Sequence, residues 1–134
     1  WAAPFEIGSE FGGLGVATAW PDPHVPVTKI GTHRNTTIGI VATDAALSKA
    51  QCHRVAVAAH DGIARAILPA HSPMDGDLVF AAATGARALQ DPGPQVTMIG
   101  HAASLCLSRA IARAIWEAEP REGDTLPTLK SELG

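Results

Sequence analysis

The chain has 134 residues, a length that suits one domain able to bury a core. Its 10 Lys and Arg against 13 Asp and Glu leave a net charge of −3 with the basic residues scattered, a pattern that argues against nucleic acid as a partner. Apolar residues make up 46%, yet no apolar run approaches the ~20 residues that cross a bilayer, so no membrane span is expected.

Aromatic residues are scarce and Tyr is absent, so the core has to be built from Ala, Val, Ile and Leu. Cys52 and Cys106 lie far apart on expected helices, without a Cys-x-x-Cys or Cys/His ligand pattern, and read as two buried thiols of a cytoplasmic protein. The chain opens at Trp1 with neither a signal peptide nor an initiator Met, and is expected to be a piece of a longer product.

Residues 1–35 are rich in Gly and Pro. Gly8, Gly12, Gly13 and Gly15 come first, with a short strand expected around Gly15 to Ala19. No Lys-Ser/Thr follows these glycines, which argues against a phosphate-binding loop. Trp20-Pro21-Asp22-Pro23-His24-Val25-Pro26 reads as an exposed connector, because each Pro removes a backbone donor and holds the residue before it extended. Residues 36–118 read as two β-α units. Thr37 to Thr43 is apolar almost throughout, the pattern of a strand covered on both faces. A helix follows, opened by a capping box of Ser48 and Gln51 and closed before Pro69, with Val55, Ala59, Gly62, Ile63, Ala66 and Ile67 at helical spacing. Leu78 to Ala83 forms the second strand. A longer helix opens near Pro94 and runs to about Glu117, its apolar face being Ile99, Ala103, Leu107, Ala110, Ile111 and Ala114. Residues 119–134 are polar, with Pro120, Gly123 and Pro127, and read as a flexible tail. Two strands alone leave unpaired edges, and the apolar fraction is high for so short a β-α-β-α unit.

Two places carry candidate chemistry. Asn35-Thr36 stands at the mouth of the first strand. As residues alone, the pair reads either as a polar turn or as a bond that a hydroxyl can cut by attacking the carbonyl before it. Cleavage would leave Thr36 as a nucleophile whose own α-amine, titrating near ~7.7–8.0, serves as base. Asp75-Gly76-Asp77 precedes the second strand, and side chains two apart in extended chain point the same way. It reads as a turn with solvated acids, as a metal-binding Asp-x-Asp, or as a catalytic carboxylate pair. His53 and His60 share a helix face without a third ligand in step, so no metal site is expected there. His71, just before Asp75, is left open; His33 and Arg34 flank the Asn35–Thr36 bond.

Asn35-Thr36-Thr37-Ile38-Gly39-Ile40-Val41-Ala42-Thr43-Asp44-Ala45 resembles the start of the small subunit of the self-cleaving DmpA-type aminopeptidases and of nylon-oligomer hydrolase. The likeness continues, in order, through Lys49-Ala50-Gln51, Ala59-His60-Asp61-Gly62 and Pro73-Met74-Asp75-Gly76-Asp77-Leu78-Val79-Phe80-Ala81, and covers roughly residues 33 to 116. Such a resemblance implies an α/β (α+β) fold, part of an αββα sandwich. Here a β-α-β-α small subunit, residues 36–118, would complete sheets of a larger upstream polypeptide whose end is residues 1–35.

It further implies an N-terminal-nucleophile hydrolase cleaved at Asn35–Thr36. Thr36 would be the nucleophile, and Asp75 and Asp77 catalytic carboxylates that orient the hydroxyl or hold the terminal ammonium. Short peptides or amino-acid oligomers would be the substrates, with no metal or organic cofactor. The assembly would be an oligomer of heterodimers. The family's centre also uses a lysine and an asparagine on the large subunit. Lys29, the only lysine upstream, sits in the Pro-rich connector outside any matching motif, and Asn35 is the cleaved residue, so the 134 residues alone should be nearly inactive. Two rivals stand beside this: an acyltransferase of the ornithine-acetyltransferase type, and an uncleaved homologue serving as an assembly or binding module.

Overall fold

The computed structural model describes residues 1–18, 36–73 and 75–133. In chain order they form a 3-10 turn at Ala3–Phe5, then β1 (Ile38–Ala45), α1 (Lys49–Ala64), β2 (Leu78–Arg87), α2 (Pro92–Glu117) and α3 (Leu129–Leu133). This is the β-α-β-α order read from the sequence. Ala19, Lys29, His33, Arg34, Asn35 and Met74 lie outside the described residues.

The Ser48 hydroxyl accepts the Gln51 N–H and the Gln51 side chain accepts the Ser48 N–H, so the capping box forms as expected. α1 stops at Ala64, with Arg65 as its cap, several residues short of Pro69, which disfavours a helical residue before it. α1 carries the chain across so that β2 lies parallel to β1, with Ile38 opposite Leu78 and Ile40 opposite Phe80. α2 begins at Pro92, two residues before Pro94, because the Gln95 side chain accepts the N–H groups of Gln90 and Asp91 and fixes the lead-in turn. Residues 15–18 form no strand, and the tail contains α3, whose Lys130 pairs with Glu119.

Both long helices pack on one face of the two-stranded sheet. The core comprises Val55, Ala59 and Ile63 of α1 with Ala103 and Leu107 of α2, and Val41, Val79 and Ala81 of the sheet press onto it. α2 buries part of the expected apolar face: Ala103 and Leu107 lie in the core and Ile99 and Ile111 pack against it. Gly100, Ser104 and Ser108 are buried with Ala103 and Leu107, while Ala110 and Ala114 are exposed. Close approach of the helices is the reason. A Cβ on Gly62 would stand 2.3 Å from the Ser104 carbonyl oxygen, so only small residues fit at this contact. Ser104 and Ser108 satisfy their hydroxyls on the carbonyls of His101 and Leu105, one helical turn back.

Among the described residues nothing covers the other sheet face. Ile38, Ile40 and Phe80 are 69%, 68% and 57% exposed, against the expectation of a strand covered on both sides, because the described residues supply helices to one face only. The thiols also differ from expectation: Cys52 is half-buried and Cys106 exposed, both free. Cys106 lines an open groove of about 330 Å³ between α2 and β1, with Ile40, Ala42 and Ala102. Glu10, in the described residues 1–18, is tied to Arg109 of α2 by a bidentate pair at 2.5 and 2.9 Å. No helix among the described residues is long and apolar enough to cross a membrane.

Candidate active site

Strand register assembles the site. Ile38 pairs with Leu78, a separation of 40 residues, and carrying that offset back one step at a time sets Thr37 against Asp77 and Thr36 against Gly76. The Leu78 N–H donates to the Thr37 carbonyl at 2.9 Å, so the ladder begins at this point. The Thr37 N–H donates to Asp77 Oδ1, also at 2.9 Å. Gly76 lies directly on Thr36: a Cβ there would be 2.9 Å from the Thr36 hydroxyl oxygen. Thr36 itself is exposed, with its hydroxyl at the strand mouth.

The two acids converge, as their spacing predicts: the Asp75 carboxyl group hydrogen-bonds to Asp77. The Asp77 side chain is only 3% exposed. Burial pushes its pKa up. The Thr37 N–H, the Asp75 carboxyl, the Thr37 hydroxyl and the His71 N–H together outweigh that, and hold Asp77 below the usual carboxylate value. Asp77 thus grips Thr37 directly, while Gly76 forms the wall beside Thr36.

His71 joins this cluster. Its Nδ1 lies 3.4 Å and its backbone N 3.5 Å from Asp77 Oδ2, whereas the Thr37 N–H bonds Oδ1. His71 has φ +59°, a left-handed conformation uncommon for a residue with a Cβ. Its ring lies 5.2 Å from that of His60, and its Nε2 is 3.4 Å from the His60 carbonyl oxygen. Proximity to Asp75 in sequence was its only signal, and spacing could not show that the loop would fold the ring back onto Asp77. His53 is exposed on α1. Among the described residues no group of three or more His, Cys, Asp or Glu can hold a metal ion. The site therefore presents a hydroxyl at a strand mouth, a second hydroxyl beside it, and a buried carboxylate, Asp77, bonded to the half-buried Asp75.

The model of peptidase family S58 matches residues 7–127, and the chain belongs to that family. An uncharacterized aminopeptidase of Mycobacterium tuberculosis is 48% identical over 78% of this chain and 33% of its own length. An uncharacterized aminopeptidase of Mycobacterium leprae is 50% identical, over 70% of this chain and 28% of its own. A 6-aminohexanoate-oligomer endohydrolase of Paenarthrobacter ureafaciens is 39% identical over 44% of this chain and 16% of its own. The chain thus spans about a third of the length of the mycobacterial relatives it matches.

Proposed function

We propose that this chain carries the nucleophile of a self-processing amide hydrolase. The Thr36 hydroxyl attacks the Asn35 carbonyl carbon, the acyl group moves from nitrogen to oxygen, and water hydrolyses the ester. Asn35 then ends one polypeptide in a carboxylate, and Thr36 begins the next with a free α-amine. In turnover that amine takes the hydroxyl proton as Thr36 attacks a substrate amide. The α-ammonium passes that proton to the substrate's nitrogen, which leaves as an amine, and water then releases the acid from the Thr36 ester. Asp77, held ionised, and Asp75 beside it fix the start of β1 and favour the charged form of the new ammonium. No metal or organic cofactor enters these steps.

The observation that carries this reading is the seating of Asp75-Gly76-Asp77 on Thr36 and Thr37. Membership of a peptidase family, and relatives named aminopeptidase and 6-aminohexanoate-oligomer endohydrolase, support the reaction class. Short peptides or amino-acid oligomers are the proposed substrates. In the proposed organisation residues 36–118 form the small subunit, residues 1–35 end the large one, and heterodimers assemble further in the cytoplasm.

The test is the intact mass of the full-length gene product under denaturing conditions, with N-terminal sequencing of its fragments. A fragment beginning Thr-Thr-Ile-Gly is expected from the native protein and none from Thr36→Ala, which also has no turnover. Efficient cleavage at the same bond in Thr36→Ala would remove Thr36 from the reaction. A native precursor that never cleaves would favour the assembly module, and acyl transfer to an added amine at the expense of hydrolysis would favour the transferase.

A further inference from the structure

We propose that His71 is a positioning residue of this site, bracing the Asp77 carboxylate at Oδ2 while the Thr37 N–H holds Oδ1. The proposal rests on the reading that Asp77 serves Thr36 cleavage and turnover. Asp77 Oδ1 takes the Thr37 N–H, and Asp75 and the Thr37 hydroxyl also bond the carboxylate, all of them from the mouths of the two strands. His71 adds a hold from outside the strands, with its ring Nδ1 at 3.4 Å and its backbone N at 3.5 Å from Oδ2. Two fixed oxygens set the plane of the group, and with it the direction in which the Asp75–Asp77 pair faces the strand mouth. Contacts of this length tighten when a site closes on its reacting groups.

The ring is itself supported. His60 of α1 lies against it, 5.2 Å between centroids, with its carbonyl oxygen 3.4 Å from Nε2. The brace therefore runs from a long helix through His60 and His71 to Asp77, and from there to the first residues of β1. The left-handed backbone at His71 turns the residue so that ring and N–H both meet the same oxygen. A conformation uncommon for a residue with a Cβ persists only where its surroundings enforce it.

The arrangement dictates which substitutions should matter. Gly adopts this backbone most easily but removes the ring, so His71→Gly isolates the imidazole from the turn. Asn is the side chain best suited to a left-handed residue, and its amide nitrogen takes the place of Nδ1, so His71→Asn should restore the brace.

The experiment follows cleavage at Asn35–Thr36 in freshly translated full-length precursor, where the protein is its own substrate. Native protein, His71→Gly, His71→Asn and Thr36→Ala are compared, with turnover of an aminoacyl anilide measured on the mature forms. His71→Gly should slow cleavage by about tenfold or more, and lower kcat with KM little changed, as a misaimed group does. His71→Asn should return close to the native rate. Equal rates in His71→Gly and native protein, or His71→Asn as slow as His71→Gly, would overturn the proposal while leaving the Thr36 reading intact. A native precursor that stays whole, or a Thr36→Ala form that cleaves, would defeat that underlying reading and this one with it. Should His71→Gly melt below the assay temperature, His71→Ser, whose side chain is too short to reach the carboxylate, gives the same decision.

Discussion

A methyl group on Gly76 would stand 2.9 Å from the Thr36 hydroxyl oxygen and meets nothing else closer than Thr36 itself. Gly76→Ala should therefore leave the fold intact and push the hydroxyl off line. Cleavage and turnover are expected to fall by up to about a hundredfold, the order of loss for a displacement near 1 Å. Normal cleavage kinetics in Gly76→Ala would place Thr36 away from this wall. Asp77 gives the second prediction at this scale. Burial raises its pKa, but the hydrogen bonds from Thr37, Asp75 and His71 lower it further, so the folded chain holds this proton more weakly than the unfolded one. Its contribution to stability is then complete above the ordinary carboxylate range and is lost as pH falls through the lower folded value. Asp77→Asn cannot ionise, so its melting temperature should fall less steeply on acidification than that of the native protein. At neutral pH it should fold and turn over substrate about a hundredfold more slowly, within the span that proton-handling groups contribute. Unchanged turnover would return Asp75-Gly76-Asp77 to the status of a turn.

The contact between α1 and α2 follows a similar logic one level up. Gly62 admits the Ser104 carbonyl where any Cβ would clash at 2.3 Å, and Gly100 admits the Ala58 methyl. Gly62→Ala forces the helices apart under Ile63 and Leu107, both core residues. Overpacking of this kind costs about 1–3 kcal/mol, even though Ala favours a helix over Gly. Thermal melting of native and Gly62→Ala protein should show the loss, and a variant as stable as native would mean that the helices pack less tightly than described. At this scale the capping box of Ser48 and Gln51 was legible because it depends on residues three apart. The buried side of α2 was legible only in part. Apolar periodicity finds Ala103 and Leu107 with Ile99 and Ile111 beside them, but it also marks the exposed Ala110 and Ala114 and passes over Gly100, Ser104 and Ser108, which the contact with α1 selects for their size.

On the whole molecule the most consequential surface is the open sheet face. Parallel sheets are normally covered on both sides, and here Ile38, Ile40 and Phe80 stand exposed on the side away from the helices. In the proposed assembly the upstream polypeptide covers them. The chain produced alone should then bind an apolar dye and self-associate at micromolar concentration, and Ile40→Lys should suppress both. In the full-length precursor the same substitution should instead reduce the yield of folded protein, since a charge would be buried there without a partner. An isolated chain that stays monomeric and dye-free would mean that this face needs no cover.

Taken alone, the sequence determined the order of elements, the capped start of α1, and the family to which the chain belongs. These are written in short-range spacing, or in a string of residues whose order survives without coordinates. It also marked Thr36, Asp75 and Asp77 as neighbours in chemistry, through the likeness of Asn35-Thr36-Thr37 and Asp75-Gly76-Asp77 to a known family. Only the tertiary structure decided that Asp77 takes the Thr37 N–H, that Gly76 rather than a carboxylate walls Thr36, and that His71 closes on Asp77 Oδ2. The reason is register. A contact between residues 40 apart is fixed by how β1 and β2 align, and that alignment is set by packing both strands against α1 and α2 rather than by any local pattern.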